Sequence, residues 1–237
     1  MTALVLGALA LTCLLGGVIA LRSVGPGYRI ARLLSGTRQL ELGEALALAA
    51  SERGRYVRVH GRISSDEEFP DEHDRPLVYR RSRLEISDGE GRWSSVAEDS
   101  EAVPFGVESR GQFLAIDASA LVDGLVVVPR EALGSVRDLE PELAGDHPPD
   151  APSRLVIEQV SAVEQATVVG ILTMTADGTP LISSAAGKPL LLTTLDLPAA
   201  MRLLARGRRR LVVGAAVLLA FGLGFAAAAL LALTASV

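Results

Sequence analysis

The sequence predicts an α+β membrane protein: two transmembrane helices flanking a β-rich domain that is a barrel, an OB-like fold or two small sheets. Three observations point there. Residues 211–233 read LVVGAAVLLAFGLGFAAAALLAL, without a charged side chain, and about 20 apolar residues in a helix cross the ~30 Å hydrocarbon core of a bilayer. Residues 2–21 form a second apolar stretch, about long enough to span. Between the two, short runs of alternating apolar and polar residues recur, which is the period of half-buried strands. The expected organisation is a first transmembrane helix over 2–21, a linker with a short helix over 22–52 and the β-rich domain over 53–196. A juxtamembrane helix over 197–210 and a second transmembrane helix over 211–233 complete it.

Charge refines this. Asp and Glu number 28 against 23 Lys and Arg, a formal net charge of −5, and nucleic-acid binding wants a basic patch or stripe instead. The arginines gather beside the apolar stretches. Arg22, Arg29, Arg32 and Arg38 follow the first; Arg202, Arg206, Arg208, Arg209 and Arg210 precede the second. Positive charge stays on the cytoplasmic side, so residues 22–210 are expected in the cytoplasm, beneath the plasma membrane of a prokaryotic host. No Lys or Arg precedes Arg22, which favours an uncleaved anchor over a signal peptide. Cys13 is the single cysteine. It permits no intrachain disulfide and no cysteine-based zinc site, and reads as a small apolar packing residue.

Gly25-Pro26-Gly27 is expected to end the first helix. Residues 40–50 (LELGEALALAA) are rich in helix formers. Tyr56, Arg58, His60 and Arg62 alternate with Val57, Val59, Gly61 and Ile63, a half-buried strand. Residues 76–86 and 92–97 read as a hairpin turning through Asp88-Gly89-Glu90-Gly91. Further strands are expected over 103–108, 112–117, 125–128, 154–160, 166–174 and 190–194, with a proline-rich break at 147–152. Asp196 is placed to cap a helix over 197–206. Residues 56–63 and 165–172 echo each other, each running through a glycine, a residue that marks bulges or barrel bends in strands.

Two stripes of small residues mark helix faces: Ala8, Thr12, Gly16 and Ala20 in the first apolar stretch, and Ala216, Ala220, Gly224 and Ala228 in the second. Residues four apart share a face, and small residues are where helices approach closely in lipid. The expectation is packing of the two helices on each other, or a homo-oligomer pairing like stripes.

Candidate chemistry is sparse. The run 66–74 (DEEFPDEHD) offers carboxylates and a histidine but lacks the glycine and spacing of a calcium loop; it reads as a solvated loop. His60 could serve as a general base, though no Ser or Cys nucleophile motif stands near it, and a structural role is the plainer reading. His147 belongs to the proline-rich break. Trp93 and Tyr79 read as packing residues. Phosphate-binding glycine loops, His-Glu-x-x-His and Gly-x-Ser-x-Gly are all missing. No cofactor is expected.

The order of features resembles the GIDE (MULAN) family of membrane E3 ubiquitin ligases. The motifs are Leu42-Gly43-Glu44, Tyr56-x-x-Val59-x-Gly61, Val103-Pro104-Phe105, Val169-Gly170-Ile171-Leu172 after Glu158, and the 197–204 helix before the last apolar stretch. The resemblance implies a GIDE-type domain between two membrane helices. Ligase activity in that family needs a RING with Cys and His ligands for two zincs. With Cys13 alone, the expectation is a RING-less, non-catalytic interaction or scaffolding module with an unknown protein partner. The alternatives are a substrate-capturing subunit of a ubiquitin-like modification system, or a hydrolase with an unrecognised site around His60.

Overall fold

The computed structural model describes residues 2–51, 54–122, 124–175, 177–185, 187–205 and 209–234. The chain divides into two units, Leu34–Ala200 and Met1–Leu33 with Met201–Val237. Helix α1 is Thr2–Gly36 and α2 is Leu42–Ser51; strands β1 (Tyr56–Ser64), β2 (Phe69–Pro70), β3 (Pro76–Ser87), β4 (Trp93–Ala102), β5 (Gly106–Ser109) and β6 (Gln112–Ile116) follow. Then come β7 (Arg130–Ser135), a single turn α3 (Pro141–Ala144), β8 (Pro152–Ser161), β9 (Gln165–Met174), β10 (Pro180–Ser183), β11 (Leu191–Thr193), α4 (Leu197–Ala205) and α5 (Arg209–Thr234).

In Leu34–Ala200 the strands β1-β5-β6-β10-β9 close on β1 to make a five-stranded barrel. Every pair is antiparallel except β6–β10, which is the strand order of an OB-type Greek-key barrel. β1 alternates as its sequence requires: Val57, Val59, Gly61 and Ile63 are buried, and the residues between them are not. The two echoing segments are partners, with Tyr56 opposite Ile171 and Gly61 opposite Ala166. Their glycines allow neighbouring backbone to come close. A Cβ at Gly61 would stand 2.7 Å from the carbonyl oxygen of Glu108, and one at Gly170 would stand 2.8 Å from that of Ser183. Val59, Val107, Leu114, Val168, Leu172 and Ile182 fill the interior, and α2 adds Leu42, Ala45 and Ala49 to the same core. The linker pairs with the open side of β1, where Leu40 N–H donates to Arg58 O and Arg58 N–H to Arg38 O. The Arg58 guanidinium donates to Leu34 O at 2.5 Å, satisfying a carbonyl in the last turn of α1.

A second sheet, a half-barrel, is inserted into this circuit. β3 pairs with β4 on one edge and β8 on the other, β8 with β7, and β2 with the start of β3. Its core side continues the barrel core through Val78, Tyr79 and Val160. One face carries ion pairs. Arg81, 8 % exposed, donates to Glu158 from Nε at 2.9 Å and from Nη2 at 2.5 Å, and from Nη1 to Val122 O. Burial works to lower the Arg81 pKa, but the Glu158 carboxylate outweighs it and raises the value. Along the same face Arg154 bonds Glu85 at 2.7 Å and stacks on Trp93.

The two-helix architecture expected from sequence is corrected. Among the described residues one helix, Val212–Leu231, is long and apolar enough to cross a membrane. Among the described residues the apolar part of α1 is Val5–Ala20, shorter than the ~20 residues that a span needs. Nor does Gly25-Pro26-Gly27 end α1, which runs through it to Gly36. A proline removes one hydrogen bond and costs ~3 kcal/mol, and a long helix absorbs this because its other turns keep theirs. β7 and β10 were not expected from the sequence, whereas the capping by Asp196 is present, with Ala199 N–H donating to Oδ1 at 2.9 Å.

Within the other unit α1 and α5 pack antiparallel, with Gly17 against Leu219 and Gly222 against Leu14. Ala10 and Gly17 of α1 and Ala215, Gly222 and Ala229 of α5 are buried.

The Arg81–Glu158 pair makes a direct test of the half-barrel. Glu158→Gln leaves the buried guanidinium with only the more distant Glu98, 3.9 Å from Nε, and costs ~3 kcal/mol, whereas Arg81→Met with Glu158→Leu is close to neutral or stabilising. Denaturant unfolding followed by circular dichroism reads both. Equal midpoints for the single variant and the parent would contradict the assignment.

Candidate ligand-binding face

The site is built from the β5–β6 hairpin, its neighbour β10 and the loop after β1. Arg110 and Gly111 turn the hairpin with φ of 52° and 73°, the two positive values that a two-residue type I′ turn requires. Arginine is disfavoured there, and Arg110 is tied by a 3.0 Å ion pair to Glu41. Register then fixes the outer surface. Gly106 lies opposite Ala115 and Glu108 opposite Phe113, while Leu181 of β10 pairs with Ala115. Leu114 and Ile116 point into the core, so Phe113 and Ala115 point out. The Phe113 ring lies over Gly106, where a Cβ would come within 2.5 Å of it, and Phe113 is 43 % exposed. These residues floor a cleft of about 590 Å³.

Its rim is acidic. Asp66, Glu67 and Glu108 border the cleft, and no Lys or Arg does among the described residues. The rim loop is held in place at both ends. Near β1 the Ser65 hydroxyl lies 2.6 Å from the carbonyl oxygens of Glu67 and Pro104. At the far end Asp71, 9 % exposed, accepts from His73 N–H at 2.7 Å, Arg75 N–H at 3.0 Å and Arg75 Nε at 2.7 Å, with Arg130 of β7 3.6 Å away. The stretch 66–74, read from sequence as a solvated loop, is thus organised around a buried carboxylate. Burial alone would raise the Asp71 pKa, but the Arg75 and His73 N–H groups and the Arg75 guanidinium hold it well below the usual carboxylate range.

A larger cleft, about 710 Å³, lies beside the N-terminus of α2 and is lined by His60, Glu41, Glu44, Ser109, Arg110 and Gln112 among others. His60 Nδ1 is 3.2 Å from Thr167 Oγ1, and among the described hydrogen bonds none joins it to Ser109, Glu41 or Glu44. Glu41 is engaged by Arg110. Among the described residues no hydrogen bond joins His60 to a serine of this cleft, the pairing that would activate a nucleophile. No group of three or more metal-ligating side chains exists among the described residues.

The other residues singled out from sequence fall as follows. Ala8 and Thr12 are exposed and Gly16 and Ala20 half-buried; Ala216, Ala220 and Gly224 are exposed and Ala228 half-buried. The face of α5 that meets α1 is thus turned from the expected stripe, and Ala220, Gly224 and Ala228 instead border a shallow groove with Phe221 and Phe225. Arg22, Arg29, Arg32, Arg38 and Arg202 are exposed. Arg206 and Arg208 lie outside the described residues, and Arg209 and Arg210 open α5. Trp93 stacks beneath Arg154, Tyr79 is buried in the core, and His147 Nδ1 lies 3.0 Å from Ala144 O. Phe113 was missed in sequence. The available signal was an aromatic residue on the outward side of the alternating run Gln112–Ile116.

Comparison of the chain with protein-family models, with curated proteins and with solved structures finds no match.

Asp71 gives the rim loop a pH dependence. Its folded pKa is depressed, so its contribution is complete above the unfolded value of ~3.9 and is lost as pH falls below that value toward the folded one. Acid unfolding of the parent and of Asp71→Asn should therefore converge at low pH and separate at neutral pH, with the variant less stable. Parallel curves across the whole range would show that Asp71 does not hold the loop.

Proposed function

We propose that this chain is a membrane-anchored, non-catalytic binding module. α5 holds it in the bilayer, and the face formed by β5, β6 and β10 captures a protein partner. The observation that carries this reading is Phe113, a large apolar ring left exposed over a cleft on a barrel whose other aromatic and aliphatic strand residues are mostly sealed inside. Burying the exposed part of this ring against a partner contributes roughly 1 kcal/mol, and exposed aromatics anchor interfaces. The α2 cleft supports the reading from the other side, since its Arg110 is engaged with Glu41 and its histidine with a threonine. The arginines that precede the apolar stretch of α5, Arg202, Arg206 and Arg208 to Arg210, favour a cytoplasmic position for Leu34–Ala200, at the plasma membrane in a prokaryotic host.

A photoreactive phenylalanine analogue at Ala115 in the full chain, expressed in the host, should give discrete higher-mass adducts that the same analogue at Ser95 of β4 does not. Absence of adducts at position 115, or equal adducts at both, would remove the face from consideration. Orientation is tested separately with Ser95→Cys in a Cys13→Ala chain. That thiol should be protected from a membrane-impermeant maleimide in intact cells and react after permeabilisation; labelling in intact cells would reverse the assigned side.

A further inference from the structure

We infer that the partner engages this face through a basic, extended polypeptide segment bearing one aliphatic or aromatic anchor residue. The inference rests on the reading of the β5-β6-β10 face as a binding surface and adds the class of ligand. The floor of the cleft is apolar and shallow: Phe113 and Leu181 stand on either side of Ala115, and Gly106 leaves the Phe113 ring lying flat. That floor takes one apolar side chain. Around it stand Asp66, Glu67 and Glu108, with no cation among the described lining residues.

These carboxylates do not converge into a group that could hold one metal ion, so they suit separate Lys or Arg side chains spaced along a chain. The Ser65 hydroxyl holds the loop that carries Asp66 and Glu67, so two of the three charges sit on pinned backbone. Glu108 also borders the next hollow, of about 300 Å³, where Arg62, its partner in the β1–β5 register, and Arg110 join Glu68. The basic stretch of the ligand therefore ends at Glu108.

Two other modes of recognition fit poorly. At the cleft floor β5 is paired with both β1 and β6, and Ala115 of β6 with both Gly106 and Leu181, so a peptide cannot add as a strand there; it must lie across the face and be read by side chains. A single-stranded nucleic acid would bring phosphates onto three carboxylates, where such ligands need a positive groove.

The test uses the full chain in lipid nanodiscs against an array of synthetic peptides that vary net charge and the identity of one central residue, read by fluorescence anisotropy. Peptides with Lys or Arg around a central Leu or Phe should bind, and their acidic counterparts should not. Asp66→Asn with Glu67→Gln and Glu108→Gln should weaken binding roughly tenfold. Asp99→Asn with Glu131→Gln and Glu142→Gln, which changes net charge equally but elsewhere, should leave it within about twofold. Phe113→Ala should abolish it, with the unfolding midpoint checked for every variant.

If basic peptides bind Phe113→Ala as well as the parent, the face itself is wrong. If Phe113→Ala abolishes binding while the triple neutralisation does not weaken it, or if neutral or acidic peptides are selected, the face stands and the ligand class is wrong. Single-stranded oligonucleotide binding that Phe113→Ala removes would likewise overturn the ligand class, as would concentration-dependent self-association through this face.

Discussion

The antiparallel pairing of β1 with β9 is the constraint on which Leu34–Ala200 depends. The two strands lie far apart in sequence, and their pairing closes the barrel. It also positions the second sheet. β3 sits in the connection from β1 to β5, and β8 in the connection from β6 to β9. The β3–β8 pair, with its buried Arg81–Glu158 contact, therefore joins two insertions that the barrel strands bring together. Contacts between such distant segments cost loop-closure entropy before they return any energy. The glycines at the seam, Gly61 and Gly170, serve that closure, because side chains at either would push adjacent backbone away.

The candidate face follows from the same closure. Closure pairs the barrel strands with one another and the linker covers the open side of β1, which blunts the usual route to unplanned pairing. What the barrel shows outward is then decided by alternation alone. On β6 that alternation turns Leu114 and Ile116 in and Phe113 out, and the connection from β1 brings Asp66 and Glu67 to its edge. The ring and the acids come from segments separated by the β3–β4 hairpin, so their juxtaposition exists only in the folded chain.

Local signals made much of this readable in the sequence. The alternation of β1, the Asp88–Gly91 turn and the Asp196 cap depend on neighbours a few residues away, and all are present. The likeness of 56–63 to 165–172 was visible, but not that the two are partners, because pairing is a long-range choice. β7 and β10 were invisible for a related reason. REALGS and PLIS are too short to show a period and gain their place from β8 and β9. Composition misled at the N-terminal end, where apolar residues suggested a second span and Gly25-Pro26-Gly27 a break. Propensity lost there to the length of α1. Asp71 was hidden among carboxylates that look alike in sequence; only the turn that aims His73 and Arg75 at it sets it apart.

On the proposed reading a ligand meets this chain on the outer face of β5, β6 and β10. Hydrogen–deuterium exchange of the nanodisc-embedded chain, with and without a saturating peptide ligand, measures that footprint without any substitution. Added protection should be concentrated in residues 64–67, 104–108 and 113–116 and around Leu181, with His60, the start of α2 and the half-barrel unchanged. Protection centred on His60 and the start of α2, or on β4 and β7, would contradict it.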